Sequence, residues 1–171
     1  MAFTTPRTWV SGELVTAALM NTYIRDNQIA LKTPPQDLYN VNEGADYSTT
    51  SAIFVDVDAT NLSLTIATTG GAVEVKFVCN CVASAANSVY FDVVVDGATQ
   101  AGNDGIVSEY LDRSAAPGRS ISFTYITAAL SAASHQFKIA WKVSGGTITM
   151  YAGAGTGSGD LHPQFSVREV N

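Results

Sequence analysis

After Ala45 the sequence settles into a period of two and keeps it to Val170, and this alternation commits most of the chain to sheet. Val73, Val75, Phe77, Cys79, Cys81 and Ala83 share one face of a strand, and Glu74, Lys76 and Asn80 share the other. In the same way Phe137, Ile139, Trp141 and Val143 oppose Gln136, Lys138 and Lys142. Strands are predicted over 52–57, 62–67, 72–83, 88–96, 106–111, 119–127, 134–144, 147–152 and 164–170. Gly70-Gly71, Asp96-Gly97 and Gly145-Gly146 tolerate positive φ, which predicts hairpins joining neighbouring strands at those points. Roughly nine strands without an intervening helix predict an all-β fold, an antiparallel two-sheet sandwich or jelly roll. Its core is expected on Phe77, Phe91, Phe123, Phe137, Ile139, Trp141 and Phe165.

Ahead of this comes one helix. The Thr16 hydroxyl can accept from free N–H groups of a first turn, and good helix formers follow at Ala17, Ala18, Leu19 and Met20. Met20, Ile24, Asn27 and Leu31 then draw one seam, with Tyr23 beside it, and Pro34-Pro35 end it. A helix of about 16 residues is marginal alone in water, so this seam calls for a partner surface. Residues 33–45 read as a polar connector, dividing an anchor at 1–35 from a head at 36–171.

Arg7 to Val10, Gly12-Glu13, Val15 to Ala18, Asn21-Thr22 and Arg25 to Asn27 form a run of recognisable wording. Through these residues the N-terminal stretch resembles small virion structural proteins of tailed bacteriophages. A looser likeness covers residues 132–170, through Ser134-His135, Trp141-Lys142, Gly146-Thr147 and Phe165 to Val170. That segment is similar to the last strands of trimeric jelly-roll heads, such as phage fibre knobs and the complement and tumour-necrosis-factor-like folds. This chain has Ser134 where those heads usually have glycine.

Composition narrows the partners. A net charge of −6 and a pI near 4.6 argue against nucleic acid, whose binders cluster Lys and Arg to release counterions. No apolar run approaches the length of about 18 residues that a membrane span needs, so no membrane insertion is expected. Cys79 and Cys81 point to one face, roughly 6 to 7 Å apart by strand rise, and read as small core residues rather than a disulfide or metal pair.

Residues capable of chemistry are few. His135 and His162 stand in no metal or nucleophile spacing, and His135 reads as a hydrogen-bonding turn residue. Asp92, Asp96, Glu109 and Asp112 could form a paired-carboxylate site only if the fold brings them together; the bland reading is solvated strand edges. Asp56 and Asp58 flank Val57 without the further oxygen ligands calcium requires. The glycine-rich run 153–159 lacks the helix and lysine of a phosphate loop. No catalytic set, metal or cofactor is expected.

Two classes of function fit. The first is a non-enzymatic phage virion protein, a homotrimeric knob made in the host bacterial cytoplasm and attached to capsid or tail proteins as a head decoration or short tail appendage. Trp9, Val10, Leu14, Met20, Tyr23, Ile24, Asn27 and Leu31 would anchor it. Trp9 would either staple the helix or plug into a neighbour, and Asn27 would be either solvated or a polar layer on a trimer axis. Val78, Val82, Tyr90, Val94 and Ile126, left over on outward strand faces, would form the trimer contact. The alternative is a carbohydrate-binding or depolymerising module that recognises host-surface glycan, with Tyr47, Tyr90, Tyr110 and Tyr151 stacking on sugars.

Overall fold

The computed structural model describes residues 4–41, 45–112, 118–153 and 161–170. Two antiparallel sheets pack face to face behind one N-terminal helix. That helix has an α-helical start, α1 (Ala17–Met20), a π-helical middle (Asn21–Asp26) and an α-helical end, α2 (Asn27–Lys32). Thr16 Oγ1 accepts from Leu19 N at 3.3 Å, as a cap should, and the helix stops at Thr33, before the two prolines. The π-helical turn is wider than the regular period assumed for the seam, which changes how its members line up.

The strands are β1 (Gln36–Asn40), β2 (Tyr47–Thr49), β3 (Val55–Asp56), β4 (Ser63–Ala67), β5 (Ala72–Ala83), β6 (Asn87–Val95), β7 (Ala98–Thr99), β8 (Val107–Leu111), β9 (Arg119–Ile126), β10 (Ser134–Val143), β11 (Ile148–Met150) and β12 (Gln164–Val170). The front sheet runs β1-β12-β5-β11-β2, with β9 on the free side of β5. The back sheet runs β3-β10-β6-β7, with β4 also paired to β10 and β8 to β6.

Three sequence expectations change here. The connector contains β1, which pairs with β12 from Gln36 opposite Arg168 to Asn40 opposite Gln164. An edge strand half in water, reading QDLYN, carries no alternation to give it away. The strand expected at 52–57 shrinks to Val55–Asp56. Of the three predicted hairpins only Asp96-Gly97 is one: φ is positive at both residues (50° and 86°), and Val95 pairs with Ala98. Gly70-Gly71 and Gly145-Gly146 instead carry the chain from the back sheet to the front, β4 to β5 and β10 to β11.

The core lies between the sheets and is aromatic at its centre. Phe77 of the front sheet sits 5.7 Å from Phe91 of the back sheet, and Phe91 stacks on Trp141 at 6.1 Å. Phe165 meets Phe77 edge-on at 6.4 Å. Phe137 and Ile139 are fully buried, whereas Phe123, on edge strand β9, is only half-buried against the cluster. Cys79 and Cys81 are buried on the core face of β5 with their sulfurs 3.8 Å apart. Burial pushes the Cys79 thiol well above its ordinary value, and the Cys81 thiol adds to the shift.

One buried carboxylate closes the architecture. Glu169, on the core side of β12, accepts from Thr69 N and Gly71 N, both at 2.8 Å, and from Thr69 Oγ1. It thereby satisfies the donors of the Gly70-Gly71 crossover from inside the sandwich.

Candidate functional site

The N-terminal motif folds into a clip. Gly12, at φ +81°, lets residues 10–13 turn so that Glu13 N donates to Val10 O at 3.1 Å. Glu13 Oε2 accepts in return from Val10 N at 3.3 Å, and its carboxylate pairs with Arg7. The Arg7 guanidinium lies 4.9 Å over the Trp9 ring and 5.8 Å from that of Tyr23, and the two rings meet edge to face at 6.3 Å. Farther along the helix, Thr4 N donates to Asn27 Oδ1, and Asn27 Nδ2 donates to Thr4 O and Tyr23 O. The arm thus doubles back along the helix with Thr4 at residue 27 and Trp9 at residue 23.

Asn27 is therefore not solvated: it is buried, and its amide bonds Thr4 of the arm and the Tyr23 carbonyl. Trp9 packs on Tyr23 and is still 40 % exposed. Val10, Leu14, Met20, Ile24 and Leu31 are likewise exposed, Leu14 at 80 %. None of the eight expected anchor residues belongs to the core of the sandwich. A partly exposed ion pair is worth about 1 kcal/mol or less and a surface cation–π contact about 0.5 to 1, so these contacts favour the closed clip without locking it.

The five expected trimer residues do not make one patch. Val78 and Val82 of β5 and Ile126 of β9 lie on the outer face of the front sheet. Tyr90 and Val94 of β6 lie on the opposite side of the sandwich, facing out from the back sheet. Val94 is buried in the chain itself, 6 % exposed, which corrects its assignment to a subunit contact. Close by, the buried Asp92 carboxylate accepts from Val93 N at 2.7 Å, Gln100 N at 3.3 Å and Ala101 N at 3.1 Å, drawing the segment after β7 over the sheet. Burial pushes the Asp92 carboxyl above its ordinary value even against those bonds. Tyr90 is occupied too, with Lys142 Nζ 5.1 Å over its ring and 4.8 Å over that of Phe54.

The sugar-binding arrangement is not assembled either. Tyr47 donates to Asp58 at 2.9 Å, Tyr151 is buried, and only Tyr110 of the four tyrosines is largely exposed. The four acids do not converge on one site: Asp92 is bonded as above, Asp96 goes to His135, and Glu109 and Asp112 share Arg119 at 3.1 and 3.9 Å. Asp56 is paired with Lys138 at 2.9 Å. Asp58 caps its own turn, and although burial works against it, bonds from Asn61, Thr60 and Tyr47 hold its carboxyl below the ordinary value. Among the described residues no cluster of His, Cys, Asp and Glu could hold a metal ion, and no helix is long and apolar enough to cross a membrane. Apart from Gly153, the glycine-rich run 153–159 lies outside the described residues.

The fold does bring together one constellation that sequence spacing did not reveal. His135 Nδ1 lies 2.6 Å from Asp96 Oδ2, and its Nε2 lies 3.0 Å from Ser131 O and 3.3 Å from Ser131 Oγ. Serine, histidine and aspartate are the members of a nucleophilic triad, but the nearest atom to Nε2 is a carbonyl, which needs an N–H donor. With acceptors at both nitrogens the ring favours its charged form, and its pKa is raised, first by the bond to Asp96 and then by that to Ser131. A charged imidazole has no lone pair with which to take a proton from Ser131. The three residues form a clamp joining the β6–β7 turn to the β9–β10 loop. His162, at the far end of the chain, bonds Val41 O through Nδ1 at 2.9 Å.

On the outer face of the front sheet a shallow hollow of about 570 Å³ runs over β1, β12 and β5. A second, of about 440 Å³, reaches Ser122 and Thr124 of β9. The floor of the first hollow is mixed and close to neutral, with Glu74 bridging Lys76 at 3.0 Å and Arg168 at 3.3 Å.

No protein-family model matches this chain, and no curated protein matches it. Among solved structures it is similar to dimeric latent PorU from Porphyromonas gingivalis, at 10 % identity and a TM-score of 0.36 over 80 % of this chain and 13 % of that one. It is similar to the VP2 subviral particle of infectious bursal disease virus, at 11 % identity and 0.35 over 80 % of this chain and 37 % of that one. It is also similar to the carbohydrate-binding module BiXyn10A CBM1, at 14 % identity and 0.27 over 81 % of this chain and 93 % of that one. The chain thus spans well under half of the first two, and scores this low carry no functional reading.

Proposed function

We propose that this chain is a non-enzymatic structural protein of a tailed-bacteriophage virion, attached to the particle by its N-terminal arm and helix while the sandwich projects from it. The observation that carries this reading is the division of apolar surface. The sandwich buries its aromatic residues between two sheets, while Val10, Leu14, Met20, Ile24 and Leu31 stay exposed on a helical unit outside that core. A helix this short needs a surface to pack on, and here it keeps its apolar side free for one. The resemblance of Arg7 to Asn27 to virion proteins supports a particle as the source of that surface. Within the clip Arg7, Trp9, Gly12, Glu13, Tyr23 and Asn27 hold one another.

Deleting residues 1–35 tests the reading. The truncated chain should keep the strand signature of the sandwich by circular dichroism and should no longer enter particles in an assembly reaction or a complemented infection. A truncated chain that still enters particles removes the anchor role.

A further inference from the structure

We propose that two copies of the chain join edge to edge through β9, each strand adding antiparallel to the other so that the two front sheets continue as one. The inference goes beyond the virion reading and does not depend on it. It starts from backbone hydrogen bonding. Thr127 N donates to Val73 O at 3.0 Å, so Thr127 and, by alternation, Tyr125, Phe123 and Ile121 turn their N–H and C=O groups toward β5. Those of Ser120, Ser122, Thr124 and Ile126 therefore point away from β5, and among the described residues they meet no backbone partner. All four residues are exposed.

The opposite edge of the same sheet shows what protection looks like. β1 has five residues, follows two prolines, and has the Leu38 N–H capped by Asp37 Oδ1 at 2.8 Å. β9 has eight residues, no proline and no lysine, and its one charge, Arg119, stands at the end and is tied to Glu109. Such an edge is a template for another strand.

The occupant that fits is a second β9. With a two-fold axis at Phe123, Ser122 comes opposite the partner's Thr124 and Ser120 opposite the partner's Ile126. Each such pair exchanges two backbone hydrogen bonds, and all four open residues are used. Hydroxyl side chains then face one another on the outer surface. On the core side Phe123 meets the partner's Phe123, and the half-buried rim of the aromatic core is covered. Nothing in the pairing sets like charges opposite each other.

Light scattering on the purified full chain at tens of micromolar tests this. The expected mass is twice 18.0 kDa. Ser122→Lys with Thr124→Lys changes exposed side chains only and places lysine opposite lysine; it should give a folded monomer. Thr124→Pro removes an N–H that β5 does not use and should also give a monomer, with thermal unfolding reporting whether the sandwich is intact. A wild-type chain that runs as a monomer or a trimer overturns the proposal, and so does a double-lysine variant that remains a dimer. If the edge instead takes an extended strand of a different protein, the chain alone runs as a monomer, which also counts against pairing with itself.

Discussion

Asn27 and Thr4 hold each other by two hydrogen bonds of 2.8 Å, one in each direction, across the arm and the helix. A side-chain amide is what this position needs, because one group must accept from a backbone N–H and donate to a backbone C=O. Asn27→Asp keeps the acceptor and sets a carboxylate against the Thr4 carbonyl, at a local cost of about 1 to 3 kcal/mol. Limited proteolysis should then cut between residues 4 and 12 faster, while the thermal midpoint of the sandwich stays where it was. An unchanged cleavage rate would show that the clip does not depend on this pair.

Trp141 is 2 % exposed and stacked on Phe91. Trp141→Ala should cost about 3 to 5 kcal/mol in denaturant unfolding, the range for deleting a large buried ring. Phe123→Ala, at the half-buried edge, should cost less. A Trp141→Ala loss below about 1 kcal/mol would contradict the placement of the core.

Glu169→Ala leaves Thr69 N and Gly71 N without their acceptor at the crossover from β4 to β5. Leaving donors unpaired in this way costs about 1 to 3 kcal/mol. Hydrogen exchange at Thr69 and Gly71 should rise along with the loss of stability; a loss without local exchange would place the role of Glu169 elsewhere.

The clamp of His135 gives a signed pH dependence. Its pKa in the fold is raised above the ordinary 6.5, so its contribution is full below pH 6.5 and is lost as pH rises through the raised value. Asp96 runs the other way: the bonds from His135 and Gln136 N lower it from 3.8, so its contribution is full above pH 3.8 and fades as pH falls through the lowered value. The advantage of the wild-type chain over His135→Gln in urea should peak between those two pH values and shrink as the pH rises beyond 6.5 through the raised value. An advantage that does not change with pH would mean that the ring is not charged in the fold.

The strands that sequence periodicity located best are those with one wholly buried face: β5 and β12 have the predicted ends. Strands with little burial, β1, β2 and β7, gave no period to read. Gly70-Gly71 and Gly145-Gly146 were legible as turns but not as crossovers, because a glycine pair states what the backbone tolerates and not which sheet follows. Asn27 looked like a flaw in an apolar seam because its partner, Thr4, approaches only once the arm has folded back. Ser131 and His135 are close in the chain, but Asp96 reaches them only through the pairing of β10 with β6, which no local spacing encodes.

The pairing of β1 with β12 also imposes an order of events during synthesis. Gln36 emerges from the ribosome early and Arg168 late, so β1 must wait unpaired while nearly the whole sandwich is made. The clip has no such delay, since Thr4, Arg7, Glu13, Tyr23 and Asn27 are near neighbours in the chain and can meet as soon as the helix forms. The clip is therefore shaped before the sandwich that follows it in the chain.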